Sequence, residues 1–143
     1  MNKSDLISSA NQIPKIGDKA LEDYHKNADK LIARVNDLMT EQADLKTLIG
    51  DENLDMMKDN HKNHLDFMAS LMANFNAQVL VETIIWVFKA YQNHGFNTKY
   101  WPVQLESWKK SLEEYLPLQS CKEIMPLYDW MHSNIQHFSK LSK

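Results

Sequence analysis

Glycine, proline and cysteine are used sparingly in this chain: three, four and one among 143 residues. So few turn-formers leave little room for a fold of many short strands and favour long helices with few connections. The single cysteine, Cys121, cannot close an internal disulfide, which fits a reducing compartment. A surplus of one charge is missing as well. Sixteen basic and nineteen acidic residues give a net charge of −3, with no basic arm or patch to neutralise a phosphate backbone. Nucleic acid is therefore not the expected partner. No uncharged apolar run reaches the ~20 residues of a membrane-spanning helix. No signal-type apolar segment follows Met1, and no lipidation motif is present. A cytoplasmic protein is the expectation.

What the sequence does hold is helical periodicity. Its most apolar stretch runs from Asn76 to Phe96. Asn76 can cap a first turn and Gly95 can close a last one. Between them only a narrow stripe is polar, and a helix apolar around most of its circumference reads as central. The expected fold is all-α: five or six helices, bundle-like or globin-like, around a hub at 77–93.

Residues 1–17 lack sustained periodicity and read as a loose arm, although Leu6, Ile7, Ile13 and Ile16 could dock. One helical domain then covers 18–143. Its first helix is capped by Asp18 and carries Leu21, Tyr24, Ala28, Leu31, Val35 and Leu38 in a three-four rhythm. A break near Thr40 precedes a short helix ending at Gly50. Ile32 and Met39 widen the stripe beyond one seam, which suggests a homodimer interface within 21–49. A helix at about 52–74 carries Leu54, Met57, His61, His64, Met68, Leu71 and Phe75 on one face. After Gly95, a helix with Pro102 in its first turn runs to Pro117. Ser120 and Glu123 read as a capping box for the last helix, with Pro126 bending it or delaying its start.

His61 and His64 are the sharpest chemical feature. Spaced i, i+3 on a core-facing stripe, they are either core histidines satisfied by a facing helix, for instance by Tyr91 or Glu82, or ligands to a small molecule or metal. Glu22-x-x-His25 has the spacing of di-iron bundles, Asp129-x-x-His132 is a looser copy, and Glu82 could bridge. The full two-plus-two pattern is not reproduced, and Glu22 falls on a polar face. Haem would need one of His61, His64 or His94 in a large apolar pocket. Cys121 has no histidine partner in sequence. Phe96, Tyr100 and Trp101 form an aromatic cluster that reads as a hydrophobic cap rather than a lid.

Asn60-His-Lys-Asn-His64-Leu-x-Phe67, Leu80-Val-Glu-Thr-Ile-Ile-Trp-Val-Phe-Lys-Ala-Tyr91, His94-Gly-Phe96 and Tyr100-Trp-Pro102 with Trp108 resemble a bacterial helical module. Such modules precede cobalamin-binding or other regulatory domains in sensory proteins. The likeness spans about 45–138 and is specific in the Asn-His-x-x-His and Trp-x-x-x-Ala-Tyr-x-x-x-Gly-Phe blocks. It implies a sensory or adaptor bundle, not an enzyme, marked by His61, His64, Trp86, Tyr91 and Gly95. The expected function is thus regulation by protein association, as a homodimer or with another protein. A small-ligand pocket would be lined by His61 and His64 together with Glu82, Trp86, Tyr91, His94 and Trp101. The sensory reading needs no cofactor. The alternative is an iron- or haem-binding bundle using Glu22, His25, His61, His64 and Glu82.

Overall fold

A computed structural model describes all residues, Met1–Lys143. The chain is all-α, with nine helices and no strand: α1 (Lys3–Ala10), α2 (Asp18–Lys26), α3 (Ala28–Thr40), α4 (Leu45–Ile49), α5 (Leu54–Ala73), α6 (Ala77–Asn93), α7 (Tyr100–Tyr115), α8 (Leu118–Ser133) and α9 (Ile135–Leu141). The count exceeds five or six because two expected helices are each divided and α1 forms where no helix was expected. At Asn27 the backbone leaves helical geometry (φ −101°, ψ 9°) while its side-chain amide donates to the Asp23 carbonyl at 2.9 Å, separating α2 from α3. Asn134 does the same between α8 and α9, donating to the Trp130 carbonyl at 2.8 Å. The break after Thr40 falls where expected, and no helix is long and apolar enough to cross a membrane.

The centre belongs to α7. It lies between α3 and α8, α2 runs beside α8, and α5 crosses against α2 and α3. Trp108, Ser111 and Leu112 of α7 are wholly buried. Helix α6, the expected hub, instead stands towards one side and takes its closest backbone neighbours from α1 and α9. It buries Leu80, Val81, Ile84 and Phe88, but Trp86 is 68% exposed and Val79 46%. Its apolar circumference has a second use: part of it faces a cavity.

The amino terminus is not a loose arm. Asn2 and Asp5 form a reciprocal capping box that starts α1. Leu6 and Ala10 are then fully buried. Lys3 pairs with Glu82 at 2.8 Å, and the Trp130 indole donates to Ser9 Oγ at 2.9 Å, so α1 is tied to α6 and α8. The surplus apolar positions of α3 are also used internally. Met39 is fully buried and receives a hydrogen bond from Ser107 of α7, and Ile32 packs at the core margin.

Ser120 and Glu123 do not form a capping box either. Helix α8 begins at Leu118, ahead of both. Ser120 Oγ donates to Asp23 at 2.6 Å, and Glu123 accepts from the Gly17 amide at 3.0 Å, so one residue ties α8 to the body of α2 and the other to its N-cap. Pro126 sits inside α8 and does not delay its start.

The caps of α6 match expectation. Asn76 Oδ1 accepts from the Val79 amide at 3.0 Å. At the other end Phe96 N–H reaches the Tyr91 carbonyl and Gly95 N–H the Gln92 carbonyl, a Schellman closure with Gly95 at φ +98°. This turn meets the end of α4. Asn53 Nδ2 donates to both the Ile49 and His94 carbonyls at 2.7 Å, and Asn97 N–H donates to the Leu48 carbonyl at 2.8 Å. Gly50, at φ +82°, lies so near that a Cβ there would stand 3.0 Å from the Gly95 carbonyl oxygen.

Candidate functional site

Because α6 keeps its backbone away from α5 and α7, a cavity of about 320 Å³ opens between them. Helical spacing builds its walls. Asn60, His64, Phe67 and Met68 recur along one stripe of α5, and Thr83, Ile84, Val87, Phe88 and Tyr91 along one stripe of α6. Helix α7 adds Trp101, Gln104 and Leu105, and Met131 and Phe138 close the far side. The floor is a locked aromatic cluster. Trp101 stacks on Phe88 at 4.4 Å and 6°, and Tyr91, Phe96 and Tyr100 join it edge to face at centroid distances of 4.9–5.8 Å. Phe96, Tyr100 and Trp101 are buried, as a cap would be. The Trp101 indole nitrogen is sealed off without a hydrogen-bond partner, as is that of Trp108.

Four of the seven expected pocket residues come together here: His64, Trp86, Tyr91 and Trp101. The other three do not. Glu82 lies on the outer face of α6 with Lys3 and Gln78, and these partners hold its carboxyl below the usual range. His94 is exposed at the end of α6, where its Nδ1–H donates to the Ala90 carbonyl at 2.8 Å. His61 is fully buried one turn before His64 but does not reach the cavity.

The two histidines head separate hydrogen-bond networks. His61 Nδ1 meets Asn36 Oδ1 of α3, and its Nε2 lies 3.1 Å from the Tyr100 hydroxyl of α7. The Tyr100 hydroxyl also lies 2.8 Å from Asn60 Oδ1, which Gln104 approaches at 3.5 Å. His64 Nε2 lies 2.9 Å from the Tyr128 hydroxyl, itself 2.7 Å from that of Tyr24. The partners are thus Asn36, Tyr100 and Tyr128, not Tyr91 or Glu82. Burial pushes both imidazoles down to about 3, with the His61 charge adding to the effect at His64, so both are neutral at pH 7. The hydroxyls of Tyr24, Tyr100 and Tyr128 are raised by burial and stay protonated.

Hydrogen counting orients the second network. Tyr24 is fully buried, and its hydroxyl has Tyr128 as its one hydrogen-bond partner. If His64 donated to Tyr128, the Tyr128 hydrogen would go to Tyr24 and the Tyr24 hydrogen would be stranded. Satisfying both buried hydroxyl hydrogens requires Tyr24 to donate to Tyr128, and Tyr128 to His64 Nε2. His64 then carries its own hydrogen on Nδ1. That atom has no acceptor within the protein and is not sealed off, on a half-buried residue of the cavity wall.

The residues of the metal alternative are not gathered. Glu22 and His25 lie exposed on α2, Glu82 is outside, and both His61 ring nitrogens are engaged. At Asp129-x-x-His132 the Lys109 ammonium occupies the position a cation would need, 2.8 Å from Asp129 and 2.9 Å from His132 Nδ1. No three His, Cys, Asp or Glu residues are placed to hold a metal ion. Cys121 is buried, and burial pushes its thiol up.

Tyr24, Tyr128, Asn36 and Gln104 escaped the sequence reading. Tyr24 fell on the buried stripe, but nothing local marks a hydroxyl that meets another helix about a hundred positions away. No protein-family model, curated protein or solved structure matches the chain.

Proposed function

We propose that this protein is a non-enzymatic sensory or regulatory module that binds a small, mainly apolar ligand between α5, α6 and α7 and acts through association with a protein partner. The cavity carries this reading. Its volume lies at the lower end of small-molecule sites, its walls are mostly apolar, and a few polar groups stand on one side. Helix α6 is the wall through which occupancy would reach a partner, since Trp86 stands exposed at the cavity mouth and Val79 of the same helix is exposed. The titratable groups nearby are poorly suited to turnover. Both histidines are held neutral far below neutral pH, and the Cys121 thiol is raised rather than activated.

The test is calorimetric titration of the purified protein with one- and two-ring aromatics and aliphatic chains of similar size. Saturable one-to-one binding by at least one compound is expected. Thr83→Trp, which places an indole in the cavity from a half-buried position, should abolish it while the circular dichroism spectrum stays helical. Absence of saturable binding by every compound would remove the proposal.

A further inference from the structure

Charge, ring content and hydrogen-bonding capacity of the cavity wall together narrow the occupant, resting on the ligand-binding reading above. No Lys, Arg, Asp or Glu is among its sixteen lining residues. A charged ligand would give up hydration there and meet no counter-charge. Six of the sixteen are aromatic (Phe67, Trp86, Phe88, Tyr91, Trp101 and Phe138), in a chain whose aromatic content is 10%. Such walls offer flat faces and edges to a flat partner. The volume, about 320 Å³, is roughly twice a cavity of ~150 Å³ that accepts one benzene ring.

Asn60, Asn63, Thr83, Tyr91 and Gln104 bring hydroxyl and amide groups to the wall. His64 Nδ1–H, oriented by the Tyr24–Tyr128 chain, is a donor without an acceptor. A ligand that fills the cavity without supplying an acceptor would strip water from that donor and leave it unpaired. We infer that the cavity takes an uncharged, flat molecule of about two fused rings, bearing a hydrogen-bond acceptor such as a carbonyl that meets His64 Nδ1–H.

Four probes of matched size separate the parts of this inference when titrated calorimetrically at about pH 8. Acetylnaphthalene has the rings and a neutral acceptor. Ethylnaphthalene keeps the shape without the acceptor, naphthoate carries a charge, and dodecanone keeps the ketone on a flexible chain. Acetylnaphthalene is expected to bind one to one, about tenfold more tightly than each of the others. His64→Phe should level acetylnaphthalene with ethylnaphthalene. Trp86→Ala, at an exposed position where folding is not at stake, should weaken both aromatic probes and spare dodecanone.

Equal or tighter binding of naphthoate overturns the uncharged class. Equal binding of ethylnaphthalene in the parent overturns the acceptor, and tighter binding of dodecanone, or unchanged aromatic affinities in Trp86→Ala, overturns the flat rings. Each of those outcomes leaves the ligand-binding reading standing. Failure of all four probes to saturate, together with failure of the broader series, overturns both.

Discussion

Acidification should unfold this protein earlier than its carboxylates alone would require. In the unfolded chain the two imidazoles take up protons near the ordinary histidine value of about 6.5. In the fold, burial holds His61 and His64 neutral down to about 3. Between those limits the unfolded state binds more protons, so stability falls as pH falls, by about 1.4 kcal/mol per unit for each ring. The contribution is fully present above about pH 6.5, has lost about 2 kcal/mol per ring by about pH 5, and levels off below about 3. For the pair this reaches about 4 kcal/mol at pH 5, an upper figure because His64 borders the cavity. That is a large share of the ~5–15 kcal/mol typical of a domain.

Asp23, Glu82 and Glu114 do not blur this window. Hydrogen bonds and ion pairs hold their carboxyls below the usual range, so their contribution is present above about pH 4.5 and is lost only as pH falls further. Urea unfolding followed by tryptophan fluorescence, at intervals from about pH 8 to 5, measures the slope. His64→Gln should roughly halve it. An unfolding free energy that stays flat across this range would refute the reasoning, because it would mean that the folded imidazoles protonate as readily as exposed ones.

Leu6→Ala should destabilise the protein by about 2–5 kcal/mol, the usual range for a truncated core leucine; a parental urea midpoint would show that α1 is not part of the folded body. Glu82→Ala should leave the melting temperature unchanged, since its pairing with Lys3 is solvent-exposed; a clear drop would assign Glu82 a structural role. Nitrogen NMR at about pH 7 should find His64 neutral and protonated on Nδ1; an Nε2–H ring would reverse the Tyr24–Tyr128 chain and remove the donor from the cavity.

The helical class was legible because it rests on local quantities: few turn residues, the three-four rhythm of α3 and α5, and the caps Asn76 and Gly95. Position within the bundle was not. Apolar residues on α6 look the same in sequence whether they face a neighbouring helix, as Leu80 does, or the mouth of a cavity, as Trp86 does. Short α1 was missed because one turn-and-a-half of apolar spacing is too little to distinguish from coil. Its helix depends on a cap and on docking to α6 and α8. Ser120 and Glu123 had the right spacing for a local cap, yet their oxygens serve residues about a hundred positions earlier. The same limit applies at the site. That His61 and His64 turn inward followed from their stripe, but Asn36, Tyr100 and Tyr128 are partners chosen by the packing of α3, α7 and α8.

The junction of Gly50, Asn53, Gly95 and Asn97 makes a clock out of one amide. Helices α5 and α6 leave this point and return to it, so the chain between Gly50 and Gly95 is a loop pinned at its neck. The Asn97 amide is shielded only while the Leu48 carbonyl stays 2.8 Å away, and its hydrogen exchanges with solvent whenever the neck parts. Exchange at Asn97 therefore times the opening of the loop that carries two walls of the cavity. A molecule bridging those walls would hold the loop closed and slow that clock without touching it.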